Sequence, residues 1–102
     1  MPLVTVARAT DLSPGEGRLV EADGRAIALF RHEQGWYAID NTCPHRGCAL
    51  ADGSLEQFVV TCPCHGSQFD IRTGTVLLPP ALTGVRAYRV EVRGEEVLLD
   101  LP

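Results

Sequence analysis

At 102 residues and 11.0 kDa the chain has the size of one domain, with room for a core of modest stability. Its net charge of −4, with no basic stripe, argues against nucleic acid as a partner. No apolar run is long enough for a membrane-spanning helix, and Met1-Pro2-Leu3-Val4-Thr5-Val6 lacks the basic-then-apolar order of an export signal, so a cytoplasmic location is expected.

Taken in order, the chain reads as short strands and turns. Leu3-Val4-Thr5-Val6 predicts an edge strand, and Asp11 to Gly17 is a loop by composition. Arg18 to Glu21 and Arg25 to Arg31 are apolar-rich runs about Asp23-Gly24, a strong hairpin signal. Trp36-Tyr37-Ala38-Ile39 follows across Glu33-Gln34-Gly35 as a third strand, with both aromatics expected in the sheet core. Ala49 to Gln57 holds at most a short turn, and Phe58-Val59-Val60-Thr61 is β-branched. Leu77-Leu78-Pro79-Pro80-Ala81 is too proline-rich for a central strand; a connector and a stiff loop packed over a site both remain open. Val85 to Val92 alternates, and Gly94-Glu95 turns it into Val97-Leu98-Leu99. The expected class is all-β: small antiparallel sheets in a single domain, residues 1–102, whose basal body is interrupted by a projecting insertion at about 43–76.

That insertion carries the chemistry. It contains Cys43-Pro44-His45-Arg46-Gly47-Cys48, then thirteen residues, then Cys62-Pro63-Cys64-His65-Gly66-Ser67-Gln68-Phe69-Asp70. All four cysteines and two of the three histidines lie in it. Proline and glycine mark both segments as tight loops. Thiolate and imidazole together suit zinc, copper or iron–sulfur rather than magnesium or calcium. Disulfides alone are one reading, with three possible pairings among four cysteines, but they leave the Cys–His spacings unexplained. A structural Cys2His2 zinc module is another, although zinc sites usually pair like with like at short spacing. A binuclear cluster with both sulfurs on one iron and both nitrogens on the other needs one ligand of each kind from each loop. Cys43 with His45, and Cys62 with His65, meet that demand.

The two segments resemble the paired cluster-binding motifs of Rieske [2Fe-2S] proteins. The likeness extends more loosely from the Pro14-Gly15-Glu16 loop through Trp36–Asn41 to Phe69–Gly74. It implies that Cys43 and Cys62 hold the inner iron, and His45 and His65 the outer, solvent-facing one. It also implies a Cys48–Cys64 disulfide, as in the high-potential members of cytochrome bc complexes; many soluble ferredoxins of ring-hydroxylating oxygenases lack that pair, and two free buried thiols are the alternative, since a reducing cytoplasm disfavours exposed disulfides. Ser67 stands where high-potential members hydrogen-bond a bridging sulfide. Phe69 stands where many have a tyrosine bonded to a cysteine sulfur. Two neutral imidazoles in place of two thiolates raise the potential to within about −150 to +300 mV. The disulfide and Ser67, without the tyrosine, imply a positive but not extreme value. Each ligating imidazole keeps one nitrogen free to titrate, so the midpoint should fall with rising pH above an alkaline threshold.

The implied function is one-electron transfer by a soluble ferredoxin-type carrier between a reductase and an oxygenase or other redox enzyme. The alternative is a Rieske subunit of a larger enzyme: a bc-like complex, a nitrite reductase or an oxygenase. No nucleophile–base set, carboxylate pair or nucleotide motif indicates catalysis by this chain alone. His32, in the charged stretch Arg31-His32-Glu33, is expected to be a solvated surface residue, and Arg46 either part of a docking face or simply exposed.

Overall fold

The structure is a computed structural model that describes residues 3–33, 35–44, 47–64 and 66–101. Among these, ten strands form two antiparallel sheets. β1 (Leu3–Arg8), β2 (Gly17–Ala22), β3 (Arg25–His32), β4 (Gly35–Asp40), β9 (Ala87–Arg93) and β10 (Glu96–Asp100) make the larger one. Its order is β1-β10-β9-β4-β3-β2, and contacts between the two end strands curl it toward closure. β5 (Ser54–Glu56), β6 (Val59–Thr61), β7 (Gln68–Asp70) and β8 (Val76–Leu78) make a second sheet in sequential order. The smaller sheet lies wholly between β4 and β9 in the chain, so the body is discontinuous and the second sheet is its insertion. No helix among the described residues is long and apolar enough to cross a membrane.

The β2–β3 hairpin turns at Asp23 and Gly24, with φ of +52° and +72°. Two left-handed residues give a turn whose twist matches that of the flanking strands. β3 is the pivot of the packing. Ile27, Ala28, Leu29 and Phe30 are all fully buried, because the strand is covered on both faces. Side chains alternate across a strand, so Ile27 and Leu29 enter one core while Ala28 and Phe30 enter another. The first core fills the curl of the large sheet with Val20, Ala38, Val97 and Leu99. The second joins the sheets through Ile39, Leu50, Val60, Phe69 and Ile71, and includes Cys43 and Cys62. Trp36 packs against the first core beneath the Arg31 guanidinium, 5.3 Å from the ring centroid, and Tyr37 packs against the second. Both are half-buried sheet residues.

β4 and β9 are paired only at Ala38–Tyr88 and Ile39–Ala87. This short seam joins the two halves of the large sheet. Side chains reinforce it: the Tyr88 hydroxyl donates to Asp40, whose carboxylate also accepts from the Arg86 backbone N–H.

The expected strands of the body all form, although β9 begins at Ala87 rather than Val85. Ala49 to Gln57 contains a single 3-10 turn, Leu50–Asp52, followed by β5, which the sequence reading did not predict. β7 and β8 are likewise additional. Strands of three residues are too short to show an alternating pattern. Leu77 and Leu78, expected outside regular structure, lie in β8, where proline is tolerated nearby because the strand is at the sheet edge.

Candidate metal centre

The two cysteine–histidine loops are built alike. In the first, the Cys43 N–H donates to the Cys48 carbonyl at 3.0 Å, and the Gly47 N–H donates back to the Cys43 carbonyl at 2.7 Å. In the second, the Cys62 N–H donates to the Ser67 carbonyl at 2.7 Å, and the Gly66 N–H donates to the Cys62 carbonyl at 3.2 Å. Cysteine thus bonds the fifth residue after it in each loop, and the fourth residue bonds back to cysteine. Gly47 and Gly66 have φ of +75° and +81°, which a side chain would resist. The flanks match too: Thr42 bridges Ala49 and Thr61 pairs with Gln68, each spanning one loop. Two hairpin tips of one geometry present equivalent cysteines.

Burial sorts the loop residues. Cys43 and Cys62 are 1% and 3% exposed, whereas Pro44, Gly47, Pro63 and Cys64 are at the surface. Cys48 and Cys64 form a disulfide with Cα atoms 6.4 Å apart, joining one loop to the other. Cys43 and Cys62 take no part in it. Their sulfurs are held in an apolar core, under loops whose crests face solvent.

Ser67 is fully buried, and its Oγ accepts a 2.9 Å hydrogen bond from the Ala81 N–H. The hydroxyl proton is left to donate elsewhere. The same bond anchors the Leu77–Ala81 stretch against the second loop, so that stretch is more than a connector. Asn41 anchors the first loop. It is 7% exposed, its Oδ1 accepts from the Ala51 N–H at 3.0 Å, and its backbone bonds both Ala26 and Leu50. Sequence reasoning singled out neither role. The one signal for Asn41 was its standing as the sole asparagine, two residues before Cys43. For Ala81 there was none, since its contribution is a backbone N–H.

The predicted ligands His45 and His65, and also Arg46, lie outside the described residues. His32 differs from expectation. It is half-buried and stacked on Phe58, with centroids 4.1 Å apart, while Arg72 lies 4.2 Å from the same ring and Tyr37 meets it edge-on. A local charge pattern suggested a solvated histidine; the insertion supplies the ring that covers it. Beyond this cluster, Arg72 hydrogen-bonds Asp70 and holds its carboxyl below the ordinary value, against a smaller opposing effect of burial. Burial, and next the bond to Asp40, push the Tyr88 hydroxyl above its ordinary pKa.

A pair of matched loops, each offering a buried cysteine and carrying a histidine in its sequence, provides thiolate and imidazole donors of the kind that suit an iron–sulfur cluster. The Rieske [2Fe-2S] domain matches residues 3–89, and the chain belongs to that family. It is 34% identical over 91 residues to the ferredoxin component of the naphthalene 1,2-dioxygenase system of Pseudomonas aeruginosa, covering 89% of this chain and 88% of that one. The ferredoxin of carbazole 1,9a-dioxygenase from Nocardioides aromaticivorans IC177 superposes with a TM-score of 0.95 at 34% identity, covering both chains completely. A ferredoxin chain solved in complex with the oxygenase of carbazole 1,9a-dioxygenase gives a TM-score of 0.88 at 33% identity, over 95% of this chain and 91% of that one.

Proposed function

We propose that this chain is a one-electron carrier that takes electrons from a reductase and delivers them to a terminal oxygenase. In this reading residues 43 to about 76 are the cluster-binding unit of one domain. Cys43 and Cys62 hold one iron of a [2Fe-2S] cluster, and His45 and His65 the other. When bound, the cluster supplies a site that gains and loses a single electron. The chain does the rest. Its buried cysteines keep water from the sulfur side, and its exposed loop crests make the path to a partner short. Ser67, whose Oγ accepts from the Ala81 N–H, keeps its own proton to offer the cluster's sulfur, which favours the electron-rich state.

The observation that carries the reading is the matched hydrogen bonding around Cys43 and Cys62. The ferredoxin names of the relatives support the choice of an oxygenase as acceptor. Exchange of electrons between separate proteins fits a cytoplasmic setting, which cell fractionation tests. The biochemical test is iron and acid-labile sulfide analysis, followed by a spectroscopically monitored redox titration across pH. A reducible chromophore whose midpoint falls at alkaline pH is expected, and Cys43→Ser or Cys62→Ser should abolish it. A colourless protein containing zinc would overturn the proposal.

A further inference from the structure

We propose that the Cys48–Cys64 disulfide is a latch that a protein dithiol can open, loosening the two loops and speeding release of bound iron. The inference rests on the cluster reading above and adds a control to that site. Disulfides sealed in a core resist reduction, whereas exposed ones are the labile and regulatory kind. Here one end is open to solvent: Cys64 is exposed, on the crest of the second loop, while Cys48 is half-buried. An incoming thiolate therefore approaches the bond from its exposed end, Cys64. Attack there breaks the protein's S–S bond, forms a mixed disulfide at Cys64 and frees Cys48, which takes up a proton. The second thiol of the reductant then attacks its own sulfur in that mixed disulfide, releasing Cys64 as a thiol. Two electrons and two protons pass from the dithiol to the protein.

Opening the latch acts on the ligand loops directly. The two cysteines are 16 residues apart in sequence, and their bond is the covalent tie between the loops. The Cys48 carbonyl is also the acceptor of the Cys43 N–H, so freedom gained at Cys48 reaches the backbone of a proposed iron ligand. Cys64 stands two residues from the other, Cys62.

The test treats the cluster-loaded protein with a protein dithiol of the Cys-x-x-Cys type, then measures three quantities. Alkylation and mass mapping should show both Cys48 and Cys64 modified under native conditions. Hydrogen exchange at the Gly47 and Gly66 amides, which close the loops, should accelerate about tenfold. Iron transfer to a chelator should accelerate by a similar factor. The double variant Cys48→Ser/Cys64→Ser should release iron at the fast rate whether or not the dithiol is present. Should that variant not fold, the dithiol-opened natural chain carries the same comparison. A disulfide that stays closed in the native protein, or one that opens without changing exchange and iron release, overturns the latch. Absence of iron and sulfide would instead sink the carrier reading; labelling and exchange need no metal and judge the latch separately.

Discussion

Ser67 shows how one side chain links folding to the site. Its hydroxyl satisfies the buried Ala81 N–H, so Ser67→Ala leaves that donor without a partner. We expect a loss of about 1–3 kcal/mol in denaturant unfolding. The same variant should lower the cluster midpoint in a redox titration, because the hydroxyl proposed to donate to the cluster's sulfur is gone. Asp70 predicts an acid effect of known sign. Its folded pKa lies below the ordinary carboxylate value, chiefly through the hydrogen bond from Arg72. Such a group stabilises the fold above about pH 3.9 and loses that contribution as pH falls through the lower folded value. Arg72→Gln should therefore move the acid-unfolding midpoint to higher pH, followed by circular dichroism.

At the scale of the elements, two glycines with nearly the same backbone predict different costs. Gly74, in the β7–β8 turn, has φ of +79°, and an added Cβ would lie 1.9 Å from the Val85 carbonyl oxygen. Gly66, in the second cysteine–histidine loop, has φ of +81° and, its chain neighbours aside, no atom of the described residues within 4 Å of that position. Gly66→Ala should cost only the left-handed strain, about 1–2 kcal/mol. Gly74→Ala adds an overlap with rigid backbone, raising the loss to about 2–5 kcal/mol. Thermal unfolding of the two variants side by side checks the difference. The close approach at Gly74 also ties the insertion to the chain entering β9, through the Val85 N–H bond to the Gly74 carbonyl at 2.9 Å.

For the molecule as a whole, the β4–β9 seam is where the large sheet is thinnest. Tyr88 crosses it to Asp40, and its hydroxyl pKa is raised, first by burial and then by that bond. A native state that holds a proton more tightly than the unfolded chain loses stability as pH rises. The loss begins near the unfolded tyrosine value of about 10 and continues through the higher folded value. Tyr88→Phe should flatten that alkaline limb in pH-dependent denaturation, at a cost of about 1 kcal/mol near neutrality from the lost hydrogen bond.

The sequence by itself determined the all-β class, the Asp23-Gly24 hairpin and the Cys–His spacing of the two loops. Each depends on local signals: alternation over several residues, a turn dipeptide, or ligand spacing within one loop. Only the tertiary structure decided the three-residue strands β5, β7 and β8, the half-buried stacking of His32 on Phe58, and the anchoring of Ser67 by Ala81. It also showed that both cysteine–histidine loops share one hydrogen-bond pattern, although their intervening residues differ. Those features arise between segments distant in sequence, or from backbone groups that every residue carries. Residue type records a side chain's chemistry, whereas partners 14 or 26 positions away, as for Ser67–Ala81 and His32–Phe58, are set by how the sheets pack.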